Sequence, residues 1–487
     1  MWLPVLLLVL TTSAARDARL LFHHDIAVGA DGYYYVIQTS HLVEDGHLYF
    51  PTPSRGFLYI AAGMTRLVGN PINCIKMLSL TLHSLLVLGM FLLLRKLTAS
   101  VWLGILGSTL AELSALHLYF IAEFNSNLCA LTFLIWGLVF AGYGVALTSQ
   151  FRWIHYTTGL LLLAAAGASH VSAIPLVAVV VACAAVVSAL LRGGRSAQVG
   201  LAGLTMAWLT PIWLAYLMPS KLPSWAENSF QTHASWPVVD VGRPEKLFLL
   251  LAAPLLLALI VTSTERFAHH TLFFVGTGAM FSLLVLLNPF LNFSGVTTNL
   301  PGRLSLLSYL LVSLLAPCLI WMVLQIAPRW VPLAVCLVLG FGVITTRSAR
   351  PSGLGDEYLS RCEQLIVDLR SHAAELDRDS VVVARPGDDF VVTATLGIPS
   401  QWQVPINVKP EKTFWLIDHV PTQMLAPSML ELSFEDGSAT VLATNQELVA
   451  LLRTSNPKEL KNLELYNPHL YRATQSGSTE KLRTTPQ

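Results

Sequence analysis

Two acids near the N-terminus are the residues best placed for chemistry. Asp25 follows His23 and His24, and Asp31 comes directly before the run Gly-Tyr-Tyr-Tyr. A carboxylate acts as a general base when it lies within hydrogen-bond reach of the proton that it removes. At position 31 it would equally suit the start of a helix, where it accepts bonds from backbone N–H groups. From position alone, both interpretations of Asp31 stay open.

The run His23-His24-Asp25 could also supply metal ligands. Adjacent residues rarely converge on one ion unless other parts of the chain add ligands, so we do not expect these three to hold a metal alone. The six cysteines mostly lie in or beside apolar segments and form no CxxC pair. They are better explained as small buried hydrophobic residues than as a disulfide framework or a metal site.

Both acids belong to a segment of about fifty residues with its own pattern of local structure. Connections are usually short, and long ones tend to carry function. The spacing predicts a helix over Tyr33–Glu44, with Gly46 as its C-terminal glycine, and a second apolar helix over Gly56–Val68. Both are too short to cross a bilayer and suit its surface, with tyrosines at headgroup depth.

The composition is that of a membrane protein. The chain has 487 residues, of which 54% are hydrophobic and 12% charged, and its mean hydropathy is +0.59. Soluble domains have about 25% charged residues, so most of this surface must face lipid. The net charge of +1 points to no acidic or basic partner, and nothing in the sequence indicates nucleic-acid binding.

About eleven segments have the roughly 20 mostly apolar residues that a membrane span needs. The first runs from Trp2 to about Phe22. Its alternative is a signal peptide cleaved near Ala15, but no Lys or Arg precedes the apolar core. The other predicted spans are Ile72–Leu94, Val101–Ile121, Leu128–Leu147, Tyr156–Ala168, Ala173–Leu191, Val199–Leu217, Leu247–Val261, Thr271–Leu287, Leu304–Ile326 and Val331–Thr346.

Lys and Arg are concentrated in the short loops that face the cytoplasm. If the first long loop lies outside, the loops then inside hold more Lys and Arg, among them Arg95, Lys96 and Arg152, than the short outer loops. We therefore predict that the first loop is periplasmic or lumenal. With eleven spans the C-terminal region lies on the same side, and the interpretation that we favour is a bacterial inner membrane with both regions periplasmic.

The composition changes from Arg347 onward, where charged residues return. Alternating apolar residues in Ser380–Arg385 and Phe390–Thr395 predict strands, and Glu357–Leu376 predicts an amphipathic helix. We expect an all-α polytopic membrane domain over residues 1–346, a small C-terminal α/β domain outside the membrane over residues 347–475, and a disordered tail over residues 476–487.

The first loop resembles that of a known superfamily. Asp31-Gly-Tyr-Tyr-Tyr, then Leu42-Val-Glu-Asp-Gly46, a proline-containing stretch and Gly56-Phe-Leu-Tyr59 are similar to the first outer loop of GT-C glycosyltransferases. The resemblance is to the branch of the protein O-mannosyltransferases and aminoarabinose transferases, and it covers residues 1 to about 346. It implies an integral membrane enzyme that uses a polyprenyl-phosphate sugar.

The resemblance also implies a reaction. Asp31 would take the proton from an acceptor hydroxyl as that hydroxyl attacks the anomeric carbon with inversion, and polyprenyl phosphate would leave. The transferred group would be a hexosyl or pentosyl unit, and the acceptor a lipid, a glycan or a protein. Related enzymes use the loop acid as the base or as a ligand to a divalent ion, so Mg²⁺ or Mn²⁺ is a cofactor that the resemblance allows without requiring it.

Five further residues complete the predicted site. Asp25 is the alternative base. The resemblance implies Glu123, between two spans, as a second acid and Arg303 as a ligand for the lipid phosphate. Tyr34 of the loop motif and His170, at a break between two spans, are predicted to contact substrate. An interfacial glutamate, an arginine that reaches lipid headgroups and a packing histidine are the alternatives for Glu123, Arg303 and His170.

A multi-pass transporter or lipid flippase is the main competing class. Transporters usually carry ionisable residues and broken helices at the midplane. Here the ionisable residues within predicted spans are few, chiefly Lys76 and Glu112, which we expect to pair. The acids gather instead in the first outer loop, which favours an enzyme. A polymerase or ligase of surface glycans would share the lipid-linked donor but usually has its large loop late in the chain.

Overall fold

The computed structural model of the chain describes residues 2–52, 54–146, 152–170, 243–262, 269–282, 306–346, 351–374, 381–384, 388–398, 400–401, 413–418, 430–433 and 439–444, with a few positions between 180 and 191 and Phe267. The chain divides into two compact units. The first unit comprises Met1–Leu21, Thr52–Ile60 and Met77–Pro351, and the second comprises Phe22–Pro51, Ala61–Lys76 and Ser352–Gln487. The second unit therefore combines most of the first loop with the C-terminal region.

Eight helices occupy the described residues up to position 170. They are α1 (Trp2–Leu21), α2 (Gly32–Glu44), α3 (Gly56–Val68), α4 (Pro71–Thr98), α5 (Val101–Leu113), α6 (His117–Ala122), α7 (Asn125–Ala146) and α8 (Arg152–Ser169). The predictions for α2 and α3 are confirmed to within one residue. Gly46 has a φ of +75°, the left-handed conformation that favours glycine after a helix.

Later helices follow the predicted spans where the structure describes them. They are α9 (Arg243–Thr262), α10 (His269–Phe281), α11 (Ser308–Ile326) and α12 (Val331–Thr345). The predicted span Val199–Leu217 lies outside the described residues, as does most of Ala173–Leu191.

Among the described residues, three helical stretches are long and apolar enough to cross a membrane. They are Pro71–Thr98, Ser308–Ile326 and Pro328–Thr345. Shorter apolar helices cover Gly56–Val68, Val101–Leu113, Asn125–Phe140 and Thr271–Phe281. The chain is thus rich in apolar helices, while the count of eleven spans stays a prediction.

The predicted span Val101–Ile121 is wrong as one continuous helix. α5 ends at Leu113 because Ser114 takes an extended conformation with ψ of 128°, and the short helix α6 follows. The buried Ser114 hydroxyl donates to Oε1 of Glu245 at 2.7 Å, and the N–H of Ala115 donates to the carbonyl of Thr345 at 3.3 Å. Polar partners outside the helix therefore stabilise the break.

The core of the first unit lies among α4, α5 and α9–α12, around buried side chains such as Leu110, Leu256 and Leu315. Gly107 on α5 faces α11 closely, since a Cβ there would lie 2.6 Å from the carbonyl oxygen of Ser313. A larger residue would push the two helices apart. α7 and α8 pack against each other along their lengths.

The second unit contains α13 (Asp356–Ser371), α14 (Asp388–Leu396) and strands β1 (Val381–Ala384), β2 (Ser400–Gln401), β3 (Thr413–Asp418), β4 (Leu430–Ser433) and β5 (Ala439–Thr444). The sheet order is β2-β1-β3-β5-β4. β1 pairs in parallel with β2 and β3, and β5 is antiparallel to β3 and β4. Strand β1 lies within the predicted strand Ser380–Arg385, and α13 begins one residue before the predicted helix Glu357–Leu376 and ends five residues before it. The domain boundaries at 347 and 475 stay a prediction.

The strand predicted over Phe390–Thr395 is wrong, because this run forms α14. Asp388 and Asp389 stand in the first turn, where carboxylates stabilise a helix, and Gly397 ends it with a φ of +67°. Asp388 also accepts two hydrogen bonds from the guanidinium of Arg361 on α13, at 2.8 and 2.9 Å. Helix-end signals and packing override the apolar alternation.

Candidate functional site

Asp31 lies half-buried in the second unit, directly before α2. Its backbone carbonyl accepts from the N–H of Tyr35 at 3.3 Å, which begins the helix. Its side chain makes no capping hydrogen bond to the helix. The plain N-cap interpretation therefore does not describe how this carboxylate is used.

Glycines fix the backbone that carries Asp31. Gly29 has a φ of +88°, its N–H donates to the carbonyl of Gly353 at 3.2 Å, and its own carbonyl accepts from Gly32 at 3.0 Å. A Cβ at Gly353 would lie 2.6 Å from the nitrogen of Ala30. The turn before Asp31 is thus set by backbone contacts with the segment that precedes α13.

The ring of Tyr34 belongs to an aromatic cluster beside Asp31. It stacks on Phe50 with 6.1 Å between ring centroids and meets Tyr35 and Phe390 edge to face at 5.3 and 5.5 Å. The amide of Gln38 pairs with the backbone N–H and carbonyl of Phe50 at 3.1 and 2.9 Å. These contacts hold the loop after α2 against α14.

The neighbouring phenol of Tyr33 is buried. Burial raises the pKa of Tyr33 to about 12, so this hydroxyl stays neutral near pH 7. It can donate a hydrogen bond, but it cannot serve as a base there.

Asp25 has an exposed side chain in the second unit. Beside it, Nδ1 of His24 lies 2.9 Å from a carboxylate oxygen of Glu363, and the Lys76 ammonium donates to the carbonyl of His24 at 2.6 Å. Lys76 thus has a backbone partner, and its predicted pairing with Glu112 is not among the ion pairs of the described residues.

Two other predicted residues lie in the first unit. Glu123 is half-buried and ends α6, with its N–H donating to the carbonyl of Tyr119 at 2.9 Å. His170 is half-buried just after α8, and its N–H donates to the carbonyl of Ala166 at 3.1 Å. Arg303 lies outside the described residues. Asp31, Asp25 and Tyr34 thus share the second unit, and Glu123 and His170 share the first.

The first unit also holds a buried polar cluster that the sequence analysis missed, formed by Asp17, His83, Glu112 and His117. Each is 5% exposed or less. Oδ1 of Asp17 lies 3.2 Å from Nε2 of His117, and Oδ2 lies 3.5 Å from Nδ1 of His83. Nδ1 of His83 is also 3.8 Å from Glu112, whose other oxygen accepts from the hydroxyl of Ser13.

Arg16 joins this cluster from α1. Its guanidinium lies 2.9 Å from Asp17, 3.5 Å from the carboxylate of Glu112 and 2.9 Å from Nε2 of His117. Nδ1 of His117 lies 2.5 Å from the carbonyl of Ser114, which can only accept, so Nδ1 carries a proton. The carboxylates of Asp17 and Glu112 thus share the single guanidinium of Arg16, which leaves one negative charge. A proton on His83 would balance it.

The signal for this cluster was present in the sequence. Ionisable residues within apolar segments are costly and usually paired or functional, and Asp17, His83 and Glu112 all lie in such segments. They are separated by up to about 100 residues, so their mutual pairing requires the fold. In the described residues, Oδ2 of Asp17 and Nε2 of His83 have no hydrogen-bond partner.

No known family model matches this chain, and no curated protein does. Solved structures do match, with TM-scores of 0.47 to 0.48. Two are of the oligosaccharyltransferase from Archaeoglobus fulgidus: the apo form at 12% identity, and AglB with an inhibitory peptide and a dolichol-phosphate at 11% identity. The third is ArnT from Cupriavidus metallidurans bound to undecaprenyl phosphate, at 13% identity.

The match to the apo oligosaccharyltransferase covers 83% of this chain and 65% of that chain, and the match to the AglB complex covers 81% and 64%. The match to ArnT covers 91% of this chain and 98% of that chain. This chain therefore spans just under two thirds of the length of the oligosaccharyltransferase.

Proposed function

We propose that this chain is an integral membrane glycosyltransferase that moves a sugar from a polyprenyl-phosphate donor to an acceptor hydroxyl at the outer membrane face. The observation that carries the proposal is the position of Asp31. Its carboxylate is half-buried, makes no capping bond to α2 and follows a turn fixed by Gly29 and Gly353. A carboxylate on a rigid backbone, within a loop that resembles the GT-C loop, is suited to act as a general base.

In the proposed reaction, Asp31 removes the proton from the acceptor hydroxyl while the oxygen forms a bond to the anomeric carbon. The bond between that carbon and the phosphate oxygen breaks on the opposite face, so the configuration inverts. The electron pair leaves with polyprenyl phosphate. The developing negative charge needs a cation or N–H groups nearby, and we assign this role to Arg303.

The remaining predicted residues take supporting roles. We assign Glu123 as a second acid and His170 as a contact to substrate, both in the first unit. Tyr34 has its ring engaged by Phe50 and Phe390, so its proposed contact to substrate would be made by its hydroxyl. Asp25 is the alternative base, since its exposed carboxylate lies in the same loop.

A divalent cation has no step in this proposal. Asp17, Glu112 and His117 could place one ligand atom each within 4.8 Å of one another. However, the guanidinium of Arg16 already lies at all three side chains, and a cation among them would face its positive charge. These residues therefore do not fit Mg²⁺ or Mn²⁺ while Arg16 remains in place.

The test is Asp31→Asn in the full chain, purified in detergent and reconstituted in vesicles. Undecaprenyl-phosphate mannose and undecaprenyl-phosphate aminoarabinose, labelled in the sugar, are the donors, and membrane lipids, glycans and peptides are offered as acceptors. Loss of a general base reduces transfer by about 10²–10⁴-fold. Asp25→Asn is the matched control and should retain activity. If Asp31→Asn transfers sugar as fast as the unmodified chain, Asp31 is not the base.

A lipid flippase is the second candidate, because the buried polar cluster places ionisable groups within apolar helices, as transporters do. The two functions respond differently to substitution. A flippase would lose movement of a fluorescent polyprenyl-phosphate sugar across vesicles in His83→Ala and keep it in Asp31→Asn. The transferase proposal expects no such movement in either protein.

A further inference from the structure

Three side chains from distant parts of the sequence meet in the second unit: His23, His24 and Asp356. Each offers one ligand atom, and these atoms lie within 4.8 Å of one another. The two histidines begin the first loop, and Asp356 begins α13. The sequence places the histidines side by side, and the fold brings the further ligand from more than 300 residues away.

The tautomer of His24 suits metal binding. Its Nδ1 lies 2.9 Å from Oε1 of Glu363, and because an ionised carboxylate only accepts hydrogen bonds, Nδ1 carries the proton. In the neutral ring, Nε2 then holds the lone pair. Nε2 is buried and has no hydrogen-bond partner among the described residues. A metal-binding histidine usually donates its other N–H to a carboxylate in this way, which fixes the ring.

The net charge around these three side chains is negative and favours a bound cation. Asp25, Asp356 and Glu363 are carboxylates in this part of the second unit, and the Lys76 ammonium, which binds the carbonyl of His24, offsets one of them. The remaining charge of these four groups is then −2, which matches a divalent ion. His23 and Asp356 are exposed, so an ion can enter from water.

The ligand types indicate which ion. Two imidazoles and one carboxylate suit Zn²⁺ and neighbouring first-row ions, whereas Mg²⁺ and Ca²⁺ prefer oxygen ligands. Three protein ligands leave one tetrahedral position for water. We propose that His23, His24 and Asp356 bind one Zn²⁺-class ion, with Glu363 orienting His24, and that the ion joins the start of the first loop to the start of α13.

The proposed ion would support a contact that the backbone already makes. Gly29, which follows His24 in the loop, donates to Gly353, which precedes Asp356. An ion at His23, His24 and Asp356 would join the same two segments a second time. It would hold these two segments together, and it takes no part in the proposed proton transfer at Asp31.

The test uses the full chain in detergent, stripped with a chelator and dialysed against Zn²⁺ or Co²⁺ alone, with the bound metal measured by elemental analysis. We expect one tightly bound equivalent and, with Co²⁺, the intense visible absorption of a four-coordinate site. His23→Ala and Asp356→Asn should each weaken binding at least tenfold, and both positions are exposed, so the fold is retained. Glu363→Gln should weaken binding by about 10–100-fold, as loss of a group that orients a metal ligand does.

The control comes from the same loop. His41, Asp45 and His47 form another group whose ligand atoms lie within 4.8 Å of one another, with His41 half-buried and the other two exposed. His47→Gln should leave binding at the proposed site unchanged. The proposal is overturned if His23→Ala and Asp356→Asn bind Zn²⁺ as tightly as the unmodified chain, or if His47→Gln removes the tight equivalent. Because the readout is metal binding, this outcome is independent of sugar transfer.

Discussion

The two acidic regions of the molecule are built in opposite ways. In the second unit, Asp31 is positioned by backbone contacts, through Gly29 and Gly32 of its own loop and Gly353 of the segment before α13. In the first unit, Asp17 and Glu112 are positioned by side chains from other helices, and they are almost fully buried. A half-buried carboxylate whose position is set through the backbone can be replaced at a smaller cost in stability than a fully buried carboxylate in a network. The comparison predicts that the first kind governs activity and the second kind governs stability.

Replacing Asp17 tests that division with the largest expected effect. Asp17→Asn removes the negative charge that faces Arg16, His83 and His117. Breaking a buried ion pair costs about 3–5 kcal/mol of stability. Asp31→Asn should cost less than that, because Asp31 is only half-buried and does not belong to a buried network. Unfolding of both variants in detergent micelles measures the difference.

The matched control on α1 is Arg19→Gln, because Arg19 is exposed on the same helix. It should leave the unfolding transition where it is. The division of roles fails if Asp17→Asn is as stable as the unmodified chain while Asp31→Asn unfolds early.

A methyl group at Gly353 tests the backbone side of the comparison. The new Cβ would lie 2.6 Å from the nitrogen of Ala30 and 2.7 Å from the Cα of Gly29. Overpacking of this kind costs about 1–3 kcal/mol, and the displaced turn carries Asp31. Gly353→Ala should therefore lower both stability and sugar transfer, measured by unfolding and by the vesicle assay.

Gly63→Ala is the control for that variant, because a Cβ at Gly63 on α3 meets nothing within 4 Å. Alanine in place of glycine within a helix gains up to about 1 kcal/mol. Equal activity in Gly353→Ala and Gly63→Ala would show that the turn at Gly29 does not set the position of the base.

The smallest effect is expected at an exposed pair near the end of α2. Nδ1 of His41 lies 2.7 Å from Oδ2 of Asp45, and the two side chains are 32% and 46% exposed. Exposed pairs contribute about 0–1 kcal/mol. Asp45→Asn should shift the unfolding transition by no more than that, and added salt should remove the shift. A loss as large as that of Asp17→Asn would mean that burial does not separate the two classes of acid.

Local signals in the sequence predicted much of the first loop. The bounds of α2 and α3 follow from apolar spacing and from Gly46, which act over a few residues. The apolar run Phe390–Thr395 misled because its alternation fits a strand, while the acids before it and Gly397 after it favour a helix. The strand-like alternation of these six residues was outweighed by the helix-start acids before them and the helix-ending glycine after them.

The candidate site could be predicted only where neighbouring residues in the sequence specify it. Asp31 could be found from the sequence because its motif is continuous. The pairing of Asp17 with His83 and His117, and the approach of Asp356 to His23, join residues far apart in the chain. No local pattern specifies such partners, because residues this far apart in the chain are brought together only by the fold.

The bond from Gly29 to Gly353 has a consequence for how the protein can be divided. The region after residue 351 contributes Gly353 to the turn before Asp31, Glu363 to His24 and Phe390 to Tyr34. It is therefore a scaffold for the first loop and not a detachable appendage. A truncated chain that stops at residue 351 should insert into membranes yet leave that loop without its support, and supplying the missing part as a separate polypeptide should restore it.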